Sequence, residues 1–177
     1  GDGSEENPYL LKTKEDLITL AKVTTVSQQL FPDTYFKLAN DIDMQKDESF
    51  LGICASIITG SSDAHVQFAG HIDGAGHTIH NMVIKGSMTW TTEPVDDKMG
   101  TPKTGECIGY KGFIGRLAPE GSIKNLNIAA DCDLEDMWAT SAAVVGYNYG
   151  TIENCKNYAD VSGYSCWIGG IAGQNLK

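Results

Sequence analysis

Hydrophobic and polar residues follow two regimes along this chain. Near the start, Leu17, Leu20 and Ala21 recur at helical spacing in LKTKEDLITLAKVTT, with Thr13 placed to cap the helix and Asp16 three residues on to return the bond. The pattern predicts a helix over about 14–25 whose apolar stripe must cover something. Past FPD the period changes. Tyr35, Phe36, Leu38, Ile42 and Met44 lie in short strand-like runs punctuated by Asn40, Asp41 and Asp43. Short strands separated by Gly and Asn continue to the end, and no second helix signal of equal strength follows. The chain reads as mainly β behind one N-terminal helix.

The strand region repeats itself. Three segments, GHTIHNMVI, GSIKNLNI and GTIENCKN, align without gaps on Ile-x-Asn. The alignment places Ile79, Ile123 and Ile152 in one column and Asn81, Asn125 and Asn154 in another, followed in each copy by an apolar residue, Met82, Leu126 or Cys155. A second set, GFIGRL, VVGYN and IAGQN, aligns on Gly115, Gly146 and Gly173, spaced 31 and 27 residues apart. A unit just under thirty residues long is the period of a stacked-repeat architecture. Each unit reads as two or three strands of about three to five residues, joined by corners where glycine or asparagine supplies a positive φ. Stacking such units sets Ile on Ile as an aliphatic interior and Asn on Asn as a hydrogen-bonded ladder. Between Asn81 and Asn125 the spacing grows to 44 residues. The excess, about 86–107, carries Pro94, Pro102 and an Asp pair and reads as a loop insertion, the kind of segment on which binding chemistry is placed.

Composition narrows the function. The 177 residues carry 13 basic and 23 acidic side chains, a formal net charge of -10, and Arg116 is the one arginine. Such a surface repels phosphate backbones and anionic lipid, which argues against nucleic acid as a partner. No run of apolar residues reaches the roughly 18 needed to span a bilayer, so this segment is not expected to insert in a membrane. The chain does not open on a basic and then apolar leader, which leaves a cytosolic protein or one whose leader has been removed. Five cysteines with no CxxC pair exclude the usual zinc-finger spacings and leave the disulfide question open.

The run AAVVGYNYGTIENCKNYADVSG, from Ala142 to Gly163, resembles the GLUG-type repeat, with Gly-Tyr-Asn-x-Gly-x-Ile-x-Asn-Cys at its centre and a Val-Ser-Gly close. WIGGIAGQN looks like the opening of another copy, and GFIGRLAPEGSIKNLNI looks like a variant copy. FAGHIDGAGHTIHNMVI and the opening GDGSEENPYLLKTKEDLITLA are similar to segments that precede such repeats. The chain departs from the pattern in carrying Ala142 and Ala143 where the leading glycines stand. The resemblance implies a right-handed parallel β-helix or a related β-solenoid capped by the N-terminal helix. It further implies an extracellular or outer-surface adhesin, akin to filamentous haemagglutinin or to non-catalytic regions of immunoglobulin-A metallopeptidases, from a Bacteroidetes-like exported protein. The expected partner is a host protein or glycan, with further repeats or domains of the same chain beyond Lys177.

Parallel β-helices also carry polysaccharide-cleaving enzymes, so catalysis must be weighed. A lyase wants a basic side chain and cationic help, for which the chain offers Arg116. A hydrolase wants two carboxylates at a set separation, for which Asp41, Asp43 and Asp73 are the patterned candidates. Asp73 precedes Gly-Ala-Gly, where a carboxylate caps its own turn, and the reading adopted is therefore non-enzymatic and free of cofactors. Asp41 and Asp43 share strand parity and are the calcium candidates, with turn capping as the competing role. Trp90, Trp138, Tyr147 and Tyr149 are the candidate ligand-binding aromatics. Three of the four histidines fall in HIDGAGHTIH, at 71, 77 and 80; the repeat pattern makes them corner and solvent-facing residues that need not converge on a metal.

Overall fold

A computed structural model describes residues 1–25, 27–55, 66–85 and 110–176, with the side chains of 136–139 and 164–166 outside that description. The loop insertion assigned to about 86–107 and its Trp90 lie outside the described residues, and so does the Trp138 side chain.

The described residues are mainly β, with one helix. The elements run β1 (Tyr9–Leu11), α1 (Lys14–Thr25), β2 (Tyr35–Leu38), β3 (Ile42–Asp43), β4 (His71–Asp73), β5 (Thr78–His80), β6 (Ile114–Leu117), β7 (Ser122–Lys124), β8 (Asn127–Ile128), β9 (Leu134–Ala142), β10 (Val145–Asn148), β11 (Thr151–Glu153), β12 (Lys156–Asn157), β13 (Val161–Gly169) and β14 (Ala172–Asn175). They form four sheets, β1-β2-β4-β7-β11, β14-β10-β6, β12-β8-β5-β3 and β13-β9, and the strand pairs in them are parallel. From β6 onward the chain visits the sheets in a fixed rotation. Strands β6, β7, β8 and β9 enter four different sheets, and β10, β11, β12 and β13 then each lie on the strand laid down one circuit earlier.

Parallel registry makes side chains at equivalent positions stack. In the five-stranded sheet Phe36, Ile72, Ile123 and Ile152 are successive Cα partners. In the four-stranded sheet Ile42, Ile79 and Ile128 do the same. Of these seven, all but Ile152 are buried in the core, and Ile152 is half-buried on the last circuit. Helix α1 covers the same core with Leu17, Leu20 and Ala21. Its start is held reciprocally: Thr13 Oγ1 accepts the Asp16 N–H at 3.2 Å, and Asp16 Oδ2 accepts the N–H of Thr13 at 3.0 Å and of Lys12 at 2.8 Å. At its last turn the Thr24 hydroxyl bonds the Leu20 and Ala21 carbonyls and accepts the Cys54 N–H at 3.1 Å, which ties helix to wall.

The alignment on Gly115, Gly146 and Gly173 corresponds to a physical column, since Ile114 pairs with Val145 and Val145 with Ala172 one position before each. None of the three has a positive φ. They are glycines because neighbouring backbone is too close: a Cβ on Gly146 would lie 2.6 Å from the Lys111 carbonyl oxygen and 2.8 Å from that of Gly115, and one on Gly173 would lie 2.7 Å from Ser141 O. The other alignment is half right. Ile123 pairs with Ile152, but Ile79 pairs with Ile42 and Ile128 in a different sheet, and the residue beneath Ile123 is Ile72. HID at 71–73, seven residues earlier than supposed, is the segment that stacks under SIK.

Replacing Ile123 by Ala is expected to cost about 2–5 kcal/mol, a fully buried aliphatic truncation, and Ile152→Ala distinctly less. Chemical denaturation of the two variants side by side checks the order, and equal losses would contradict the burial gradient.

Candidate functional site

Corner residues come first, because they decide the fate of the predicted calcium and histidine sites. Asn81, Asn125 and Asn154 all adopt the left-handed conformation, with φ of 51°, 55° and 50°. Asn125 Nδ2 donates to Asp73 Oδ1 at 3.0 Å, and Asn154 Nδ2 donates to Asn125 Oδ1 at 3.4 Å, so these two form a ladder with Asp73 at its foot. Asn81 stands apart from it, donating to Asp43 Oδ1 at 2.9 Å while its N–H is held by Asp131 Oδ1 at 2.9 Å. A second asparagine ladder, absent from the sequence reading, runs beside the glycine column. Buried Asn148 donates to Asn175 Oδ1 at 2.7 Å and accepts the Gly150 N–H at 3.0 Å. The shared Asn two residues after Gly146 and Gly173 was the available signal.

Each calcium candidate lends its Oδ1 to the fold. Asp41 Oδ1 accepts the Thr78 N–H at 2.9 Å and contacts His77 Nδ1 at 3.1 Å; Asp43 Oδ1 accepts the Gln45 N–H at 2.8 Å and the Asn81 amide. These bonds stabilise the ionised carboxylates: the Thr78 amide chiefly lowers the Asp41 pKa and the Asn81 side chain that of Asp43. The three histidines diverge, His71 to Ser122 Oγ at 2.9 Å, His77 to Asp41, and His80 to Asp131 Oδ2 at 2.9 Å. Among the described residues no group of three His, Cys, Asp or Glu side chains is placed to hold a metal ion.

Two surfaces remain. The outer face of the five-stranded sheet carries a groove of about 380 Å³ at the N-terminal end, lined by Glu5, Leu10, Tyr35, His71, Asp73 and Lys124 among others. Tyr35 and His71 are Cα partners, and their rings stack at 4.4 Å and 26°. The next column alternates in charge, with Lys37 opposite Asp73 and Asp73 opposite Lys124.

The second surface gathers Tyr147 and Tyr149, two of the predicted aromatics, with two residues not assigned to it, Tyr110 and Arg116. The registry that sets Gly146 on Gly115 also sets Tyr147 on Arg116. The guanidinium carbon lies 4.9 Å from the Tyr110 ring centre, 5.1 Å from that of Tyr147 and 5.7 Å from that of Tyr149. The Tyr149 hydroxyl donates to that of Tyr147 at 3.4 Å, and this contact, with burial, raises the Tyr147 pKa. Arg116 is 5% exposed beneath the three half-buried rings.

Two outcomes follow from these networks. Asn125→Ala is expected to cost about 1–3 kcal/mol, by strained φ and by loss of the Asp73 bond, while Asn125→Gly, which keeps the φ, costs less; thermal melts rank them. Acid unfolding is the other. Asp47, bonded to Ser49 and to Lys14 at 2.9 Å, has its pKa lowered to about 2, and Asp41, Asp43 and Asp131 are also lowered. A carboxylate depressed in the folded state contributes stability that is present above its unfolded pKa near 3.9 and is lost as pH falls through the folded value. Stability should therefore decline from about pH 4 toward pH 2, and Asp47→Asn should flatten that decline in melts recorded across the range.

No family model matches the chain, and no solved structure matches it. A "Gly-rich membrane protein" of Evansella cellulosilytica is 29% identical over 155 residues, covering 87% of this chain and 15% of that protein. Halomucin of Haloquadratum walsbyi is 26% identical over 181 aligned positions, covering 98% of this chain and 2% of that protein. The chain thus spans a small fraction of the length of the relatives it matches. Among the described residues no helix is long and apolar enough to cross a membrane.

Proposed function

We propose that this chain is a segment of right-handed parallel β-helix built from GLUG-type repeats, serving as a non-enzymatic extracellular or cell-surface module that binds a ligand or spaces other domains. The observation that carries the reading is the rotation of the chain through four sheets with each strand in parallel registry on its predecessor. An array of this kind presents a long, rigid outer wall whose shape depends little on which residues face solvent. Helix α1 acts as the cap of one end, its apolar stripe covering the core that an open first circuit would expose.

Location outside the cell draws support from the relatives, one named as a membrane protein and the other as halomucin, each far longer than this segment. The chemistry of the described side chains favours binding over turnover. The Oδ1 atoms of Asp41, Asp43 and Asp73 each accept a backbone amide, and burial pushes the Cys54 thiol up to about 12, the opposite of an activated nucleophile. The groove beside Tyr35 and His71 and the Arg116 cluster are where a host glycan or protein would be held.

A glycan array and a polysaccharide-degradation assay on the same protein test the reading. Retention of a glycan without release of reducing or unsaturated ends is the expected result. Release of such ends would replace the binding module with a carbohydrate-active enzyme.

A further inference from the structure

Arg116 is buried to 95% of its surface, and among the described residues its guanidinium Nε and Nη1 are fully covered without a hydrogen-bond partner. Asn148 is answered by Asn175 and Gly150 and Thr24 by the helix carbonyls; the other covered atoms without a partner, Thr25 Oγ1 and Asp133 Oδ1, are single oxygens, whereas Arg116 leaves two donors of one cation unanswered. Three tyrosine rings stabilise the positive charge from their faces but offer its N–H donors nothing to bind. Each donor left so costs stability, and an apolar residue packed beneath the same rings would avoid that cost. The pattern is that of a site prepared for an anion that is planar and bidentate, as a guanidinium selects.

We propose that Arg116, with the hydroxyls of Tyr147 and Tyr149, forms a recognition site for the carboxylate of an acidic sugar, the rings of Tyr110, Tyr147 and Tyr149 supporting the sugar's C–H faces. The inference rests on the binding-module reading and names the class of ligand. A sugar fits better than an acidic peptide because three half-exposed rings surround one cation, giving stacking faces beside a single charge. A run of peptide carboxylates would meet no second arginine, Arg116 being the only one in the chain. The net charge of -10 opposes long-range attraction, so the site discriminates on contact and not by steering.

That single arginine also supplies the probe, since its Nε–H group gives one identifiable resonance in a proton–nitrogen spectrum. Titration of the whole chain with an oligogalacturonate is expected to shift that resonance saturably, while the fully methyl-esterified oligomer, neutral and otherwise alike, leaves it in place. Tyr149→Phe keeps the ring and removes the hydroxyl, and should weaken binding about three- to ten-fold with the fold intact by circular dichroism. Arg116→Lys should weaken it about ten-fold or more. An unmoved Arg116 resonance overturns the site, as does equal binding of the ester. An equal shift with poly-glutamate overturns the sugar assignment. Retention of other glycans with Arg116 unmoved would sink this site and leave the binding module standing, whereas sugar-end release would sink the module reading alone.

Discussion

Parallel strands laid one on another at about 4.8 Å give each inward side chain one neighbour above and one below, and the rest of this protein follows from satisfying that constraint. Phe36, Ile72, Ile123 and Ile152 meet it in one sheet, and Ile42, Ile79 and Ile128 in another. A lone circuit could not bury these residues. Burial therefore builds along the stack and declines at its last circuit, where Ile152 and Ile171 are half-buried and Asn157 pairs with Ile128. Helix α1 joins the same core with Leu17, Leu20 and Ala21, held by a capping bond on its first turn and a threonine tie to Cys54 at its last.

The registry also dictates where glycine and asparagine must stand, for different reasons. At 115, 146 and 173 neighbouring backbone passes within the space a Cβ would need, so the side chain is absent for want of room. At 81, 125 and 154 the chain turns through the left-handed region, and asparagine tolerates the turn while its amide bridges to the adjoining circuit. Carboxylates at 41, 43 and 73 serve these corners as acceptors of backbone and asparagine N–H groups.

These features explain which parts of the molecule could be read from sequence. The helix was legible to its capping residues because capping and amphipathic spacing are local. The glycine column was legible because steric exclusion permits one residue type, and Ile123 over Ile152 because the two copies are adjacent circuits. The first copy misled for a physical reason: the corners at 81, 125 and 154 each join an aliphatic residue, Ile79, Ile123 or Ile152, to a left-handed asparagine two positions later. Ile79-His80-Asn81 and Ile123-Lys124-Asn125 therefore share a pattern while lying in different sheets. Nothing local records which side of the wall a corner occupies; only the pairing of Ile72 with Ile123 does.

The tyrosine cluster was half legible, and the missing half is instructive. Tyr147 and Tyr149 stood out as aromatics near a turn, but Arg116 was read as a neighbour of a structural glycine and weighed only as a catalytic base. Its position beneath Tyr147 depends on the same superposition that aligns Gly115 with Gly146. Once the glycine column is accepted, the residue after each glycine must stack as well, which yields Arg116, Tyr147 and Gln174 as one column. Stacked registry thus places the residues that differ from circuit to circuit as surely as those that repeat, and Arg116 under Tyr147 is such a place.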